Sequence, residues 1–360
     1  MRENTSEKTP LKSSQTMLSL AFTLLSIFVF TVVIMTQVSV AYAQLSDTAS
    51  ASALTVSDLE KEQSQRPLPS LQQLAIAAQS LNFEMSLIVY RPGNEPVPYV
   101  WRRGNLAGER VEYLNELNGP GAQIIRFGEM VSYFQADTPA YTLAQDYLKG
   151  VLPHNLLHNP QAFAAAYDTI YVGRARVAGL AAHQFRIVSK DKSRYNYTLW
   201  LDEATSLPIK FTTFTLSGEL LESVQVTHLE VTQQAHSSFA SIDRETLPAA
   251  QHLNPNKDFT LNWTISKLPV GMSEVQRRVT RLAITGELAE HILLSDGLVD
   301  VSVYLQPAGD VAQEDVLLRN QSDTFLARVK DDVQVSVVGK IPAQTANTLL
   351  QYIRILPGEK

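Results

Sequence analysis

The chain has 360 residues, 30 Lys and Arg against 36 Asp and Glu, a formal net charge of −6 and no cysteine. That balance speaks against the broadly basic surface by which proteins bind nucleic acid. The missing cysteines exclude disulfides and a lipid-modified cysteine anchor, so stability has to come from buried core.

Arg2, Lys8 and Lys12 precede an apolar run from Met17 to Met35, which ends near the small-x-small triplet Ala41-Tyr42-Ala43. A basic start, an apolar middle and such a triplet form the pattern read by signal peptidase. Residues 1–43 are therefore expected to be a cleaved export signal. A retained anchor is the alternative, since the run is just long enough to cross a bilayer core of about 30 Å. The remaining chain still exceeds the ~250–300 residues at which single cores stop growing, which predicts two domains. Residues 44–66, rich in Ser, Ala, Thr and charge, offer little to bury and read as a flexible segment. Residues 233–256 lack a sustained period and contain two prolines, and read as a linker. The expected domains are 67–232 and 257–356.

In the first domain, Leu71, Leu74, Ala78 and Leu81 recur at helical spacing behind Pro67, Pro69 and a capping Ser70. The period then changes to two. Phe83–Tyr90, Pro98–Arg103, Val111–Asn118, Ala122–Phe127 and Met130–Gln135 are predicted strands, joined by turns such as Arg91-Pro92-Gly93-Asn94. Tyr141–Tyr167 is less regular and is expected to form short helices around Leu152-Pro153 and Asn159-Pro160. Strands resume at Asp168–Val177, His183–Lys190, Tyr195–Asp202, Leu207–Thr215 and Leu220–Val231. Along Tyr195–Asp202, Tyr195, Tyr197, Leu199 and Leu201 share one face, and Trp200 stands among polar residues on the other. Its expected cover is the Tyr141–Tyr167 section, with a bound ligand as the alternative. A long antiparallel meander curved around helices follows from this pattern.

The second domain is predicted to start with a strand over Asp258–Ile265, where Phe259, Leu261 and Trp263 alternate. A basic segment, Arg277-Arg278-Val279-Thr280-Arg281, comes next. Strands at Glu290–Leu294, Leu298–Leu305, Thr324–Val329 and Val333–Val338 precede a last helix over Ala343–Ile353, with Pro342 at its start. The three arginines suit an acidic partner or lipid phosphates, or else form a solvated edge.

Chemistry-bearing motifs are scarce. His154 and His158 have the i, i+4 spacing by which a helix holds zinc, but the glutamate of HExxH is missing and no third ligand is apparent. There is no GxSxG elbow, no Walker loop and no GxGxxG; the acidic pairs Glu314-Asp315 and Asp331-Asp332 read as solvated charge. The chain is expected to be no enzyme and to need no cofactor or metal, with a metal-dependent hydrolase on the histidine pair as a remote alternative.

The segments EMVSYF, IYVGRARVAGLAAHQFRIVSKD, SRYNYTLWLDEATSLPIKF, LNWTISKLPVGMSEV, LLSDGLVDVSVYL and VVGKIPAQTANTL, in this order along the chain, resemble the RseB/MucB family. The chain departs from its pattern at Met272, where an aromatic is expected, and at Leu298-Val299 in place of Leu-Phe. The resemblance implies an α+β protein: a LolA-like unclosed antiparallel β-barrel with helices in its mouth, then a smaller α+β domain. It also implies a periplasmic regulator that binds the periplasmic part of an RseA/MucA-type transmembrane anti-sigma factor, shields it from proteolysis and releases it to lipopolysaccharide or another acylated envelope component. Self-association is a further family expectation, and a LolA-type lipid or lipoprotein carrier is the alternative function. Candidate lipid-binding residues are Tyr133, Phe134, Trp200 and Phe211 on the aromatic strands and Tyr147 and Leu152 in the irregular section. Candidate partner-binding residues are Trp263, Met272, Arg277, Arg278 and Arg281.

Overall fold

A computed structural model describes residues 70–136, 138–251, 263–281, 288–308, 315–330 and 333–355. The expected signal at 1–43, the segment 44–66, residues 252–256 of the expected linker and most of the strand expected at Asp258–Ile265 lie outside the described residues. No helix among the described residues is long and apolar enough to cross a membrane.

The chain enters through α1 (Leu71–Ser80). Ser70 Oγ accepts the Gln73 N–H while the Gln73 side chain accepts the Ser70 N–H, a reciprocal cap that satisfies two otherwise unpaired donors. The helix buries Leu74, Ala75, Ala77 and Ala78. Behind it run β1 (Asn82–Tyr90), β2 (Val97–Leu106), β3 (Glu109–Glu116), β4 (Gln123–Phe127), β5 (Met130–Gln135) and β6 (Thr138–Ala144). After an insert come β7 (Tyr167–Val177), β8 (Leu180–Ser189), β9 (Asn196–Asp202), β10 (Pro208–Phe214) and β11 (Leu220–Thr232). All pair antiparallel, and β11 returns beside β1. The short β12 (Ala250–Gln251) adds to β6 in parallel. The resulting twelve-stranded sheet has β12 and β7 at opposite edges, so it is a barrel that does not close. Register shifts in β1, β5, β7 and β10 supply local bends.

Alternation decides which side of this sheet is apolar. Phe83, Met85, Leu87 and Val89 of β1 and Tyr197, Leu199 and Leu201 of β9 face inward and belong to one core cluster. Val111, Ile125 and Phe127 face outward, where Phe239 packs on them. The stretch expected to be a linker is thus bound to the outer face through residue 251. Arg244 lies 4.1 Å from the Phe127 ring centroid and 2.6 Å from Glu109. Phe239, isolated among polar residues, showed no period to betray this.

The C-terminal part opens with β13 (Trp263–Ile265), which pairs with β20 (Ile353–Ile355). Between them lie β14 (Ser273–Arg281), β15 (Leu288–Ser295), β16 (Asp300–Pro307), β17 (Val316–Asn320), β18 (Asp323–Lys330), β19 (Val333–Gly339) and α3 (Ala343–Gln351). The six-stranded sheet has the order β14-β15-β16-β19-β18-β17, and α3 turns Ala346, Leu349 and Leu350 onto it. Four elements differ from expectation. Tyr141–Ala144 is the end of β6 instead of a helix, the basic segment is the edge strand β14, β17 is an additional strand, and Ile353 belongs to β20. Edge strands bury little, so their sequences carry no apolar alternation; all five residues of β17 are exposed.

The two sheets meet through buried polar contacts. Arg194 and Asp296 side chains are both 0% exposed, with Arg194 Nε 3.0 Å from Asp296 Oδ2. That carboxylate also accepts the Tyr167 hydroxyl and, through Oδ1, the N–H groups of Leu298 and Val299. Arg194 donates as well to the Val270 carbonyl, and Asp191 Oδ2 accepts the Val270 N–H. Burial pushes Asp191 up, but hydrogen bonds from Ser193 and Val270 together with Arg194 outweigh it and hold the carboxyl at about 2. Two glycines allow the close approach. A Cβ on Gly271 (φ +74°) would stand 2.6 Å from Ala166 N, and one on Gly297 (φ +87°) 2.5 Å from the Ala162 carbonyl carbon.

Asp296→Ala leaves Arg194 buried with Asp191, 3.3 Å from its Nη1, as its one remaining carboxylate and is expected to cost about 3–5 kcal/mol. Urea unfolding of the variant beside the wild type measures it; a difference below about 1 kcal/mol would show the pair to be dispensable.

Candidate functional site

Residues 145–166, between β6 and β7, form an insert laid across the concave face. It holds α2 (His154–His158) and a 3-10 turn, Pro160–Phe163. Leu148, Leu152, Leu156, Leu157, Phe163 and Ala166 point into the sheet and join its core cluster. The fit is tight. Where Leu152 meets Met85, Leu87, Ile209, Phe211 and Val226, the remaining gap is about 10 Å³, room for at most one water. An acyl chain therefore reaches this part of the face only if the insert withdraws.

Part of the concave face is charged. Arg103 of β2, Glu112 of β3 and Arg126 of β4 are 3%, 3% and 2% exposed. Arg126 Nη1 donates to Glu112 Oε1 at 2.7 Å and its Nε to the Gly128 carbonyl. Arg103 Nε stands 3.6 Å from the same Glu112 oxygen and makes no hydrogen bond, while its Nη2 donates to the Gln79 carbonyl. One carboxylate thus serves two guanidiniums, and burial pulls Arg103 down to about 10.

The imidazoles of α2 sit beside this group. The His154 and His158 rings are 4.2 Å apart, and Tyr147 covers His154 at 3.9 Å. His158 Nδ1 lies 3.1 Å from the His154 carbonyl; a carbonyl only accepts, so Nδ1 carries the proton. His158 Nε2 and His154 Nδ1 are buried with no partner. Burial lowers both pKa values, that of His154 to about 4. No three His, Cys, Asp or Glu side chains among the described residues come together to hold a metal.

The candidate lipid-contacting residues divide between the two faces. Tyr133 lies inside, stacked on Tyr141 at 5.0 Å with its hydroxyl accepting from Gln145. Burial raises its pKa and that of Tyr147. Leu152 and Phe211 line the small gap, and Phe211 stacks on Tyr197 at 5.3 Å. Phe134 is turned to the outer face and packs against the Phe239 cluster. Trp200 is likewise on the outer face, opposite Gln184 and Lys210. It packs against the main core cluster, and Lys210 Nζ lies 5.1 Å from its ring centroid. Adjacent strand residues point to opposite faces, so Phe134 cannot share a surface with Tyr133.

The candidate partner-contacting residues are dispersed too. Trp263 and Met272 are 1% and 6% exposed and belong to the core, so their side chains present no surface. Arg277 is exposed and forks onto Glu274 with two bonds of 2.7 Å. Arg278, on the other face of β14, approaches His291 Nδ1 at 3.4 Å. Arg281 ends the strand, paired through its backbone with Leu288. Arg277 and Arg278 therefore share no single patch. Sequence reading passed over Arg103, Glu112, Arg126, Arg194 and Asp296; the available signal was Arg103 two residues after Trp101, a charge at an inward position.

A family model for the MucB/RseB N-terminal domain matches residues 67–251, and one for the MucB/RseB C-terminal domain matches residues 257–354. The sigma-E factor regulatory protein RseB of Salmonella typhimurium is 32% identical, over 79% of this chain and 89% of its own. The sigma factor AlgU regulatory protein MucB of Pseudomonas aeruginosa is 27% identical over the same shares. In the solved complex of Pseudomonas aeruginosa MucA and MucB, the fold matches with a TM-score of 0.66 at 24% identity, over 80% of this chain and 98% of that one. A structure of MucB with MucA(peri) gives 0.64. At that identity the likeness establishes the fold.

Leu152→Ala opens the gap beneath the insert and is expected to destabilise by about 2–5 kcal/mol. Thermal unfolding checks it; a loss under about 1 kcal/mol would mean that the insert is not seated on the sheet.

Proposed function

The chain belongs to the MucB/RseB family, and from that premise we propose that it is a periplasmic regulator of an envelope-stress sigma factor. In this reading it binds the periplasmic part of a transmembrane anti-sigma factor and shields it from regulated proteolysis. The observation that carries the reading is the similarity to RseB over 89% of that protein's length, reinforced by the shared fold with MucB in its MucA complex. Export by a cleaved signal at 1–43, a division into two domains, self-association and the absence of catalysis belong to the same reading.

The concave face gives the regulator a sensor. An acyl chain contributes about 0.8 kcal/mol per buried CH₂, and it gains this only where the insert is displaced. A ligand shifts an equilibrium only by preferring one of its states, and here the preferred state is the open one. Tyr133, Tyr147, Leu152 and Phe211 are the residues a lipid or the acyl part of lipopolysaccharide would meet. The far side of the insert touches the turns at Gly271 and Gly297, so displacement also loosens the C-terminal part and lowers its hold on the anti-sigma factor. On the partner side, Arg277, Arg278 and Arg281 of β14 remain the candidates, Arg277 and Arg278 on opposite faces of the strand, while Trp263 and Met272 lie in the core.

Calorimetric titration of residues 44–360 with the anti-sigma factor's periplasmic segment tests the proposal. The expected result is saturable binding that a lipopolysaccharide fragment weakens. Absence of peptide binding would overturn it, and retention of the lipid fragment alone would favour a carrier. Charge reversal at Arg277 and Arg278 is expected to weaken the peptide complex at least tenfold; unchanged affinity would remove β14 from the interface.

A further inference from the structure

The histidine pair of α2 has no part in the sensor described above, yet its surroundings are unusual. The groups facing it are two cations, Arg103 and Arg126, and the carboxylate Glu112 already bonded to Arg126; Asp146 and Tyr147 approach from the segment ahead of α2. From α1 comes only a neutral contact, Gln79 Nε2 to the His158 carbonyl. Asp146 is exposed, so its attraction is largely screened by water.

We propose that the insert is an acid-opened cover: proton uptake on His154 and His158 drives α2 off the Arg103, Glu112 and Arg126 cluster and uncovers the concave apolar face. Hydrogen-bond geometry supports this independently of charge. Protonation makes both nitrogens of each ring N–H donors, and the buried His154 Nδ1 and His158 Nε2 have no acceptor in the closed state. A buried donor without a partner costs about 1–3 kcal/mol, and two imidazolium rings 4.2 Å apart also repel. Little intrinsic stability opposes release. The helix has five residues, Pro153 at its N-cap position and no side-chain capping bond, and so short a helix holds only through its contacts.

The sign follows from the histidines' depressed pKa. Closure is fully favoured above the ordinary value of 6.5 and is lost as pH falls from there toward the closed-state value, about 4 for His154. After allowance for solvent screening of half-buried rings, the open fraction rises on the order of tenfold between pH 7.5 and 5. His291, also lowered to about 4 and stacked on Tyr304 in the C-terminal sheet, is the obvious competing source. The inference rests on the insert being a movable cover, but it requires neither the anti-sigma segment nor a lipid.

Hydrogen–deuterium exchange of residues 145–166 in the ligand-free protein at pH 7.5 and 5, corrected for intrinsic rates, tests it. The expected result is about a tenfold rise relative to β15 and β16 in the wild type and in His291→Gln, abolished in His154→Gln/His158→Gln. The single variants, each carrying part of the rise, keep the test valid if the double variant does not fold. No rise in the wild type, an equal rise without the pair, or loss of the rise in His291→Gln would overturn the proposal. Neutral-pH lipid binding without acid opening would leave the sensor reading intact and sink this one alone.

Discussion

The polar contact between the two sheets is centred on a buried charge. Arg194 is fully enclosed, and an enclosed guanidinium is tolerated only where its charge and donors are matched. Asp296 and the nearby Asp191 supply the charge and Val270 a carbonyl, and Asp296 and Val270 come from the C-terminal part. The loop carrying Arg194 is therefore fully satisfied only when the second sheet is docked. Tyr167, the first residue of β7, bonds to the same carboxylate, which fixes where the insert ends.

The insert is held from both sides as a result. Its leucines fill the concave face, and its backbone at Ala162 and Ala166 supports the turns at Gly297 and Gly271 with no space for a side chain. Close packing of this kind is bistable, because a segment that leaves gives up contacts on both sides together. A single core cluster runs from β1 through the insert to β16 and α3. That continuity is what the proposed sensor relies on to pass an event on the concave face to the second sheet. The polar cluster at Arg103 weakens the insert's seat at one place, where two guanidiniums share a carboxylate and the nearest imidazoles are neutral.

Long runs with strict alternation were legible because one face of each is buried: β1, β9 and β11 stand where their pattern placed them, and the capped α1 likewise. The unclosed barrel and its smaller companion follow from the family resemblance, and the sheet order bears them out. Elements with little burial were not legible. The end of β6 was expected to be helical, the whole of β17 was missed, and β14 was read as a basic segment. Phe134 and Trp200 were assigned by residue type, whereas the pleat turns both away from the face the insert covers. Trp263 and Met272 were grouped with the exposed arginines by their neighbourhood in sequence, and packing put them in the core.

Local sequence thus determined the elements with a buried face, the acidic cysteine-free character and the family, since these depend on spacing and composition within short windows. The tertiary structure alone decided that Arg194 meets Asp296, that Arg103, Glu112 and Arg126 lie beside two histidines, and that 233–251 is bound to the barrel. Each of these joins residues far apart in the chain. Their strength depends on how far they are desolvated, which is set by everything packed around them and leaves no periodic trace in the sequence.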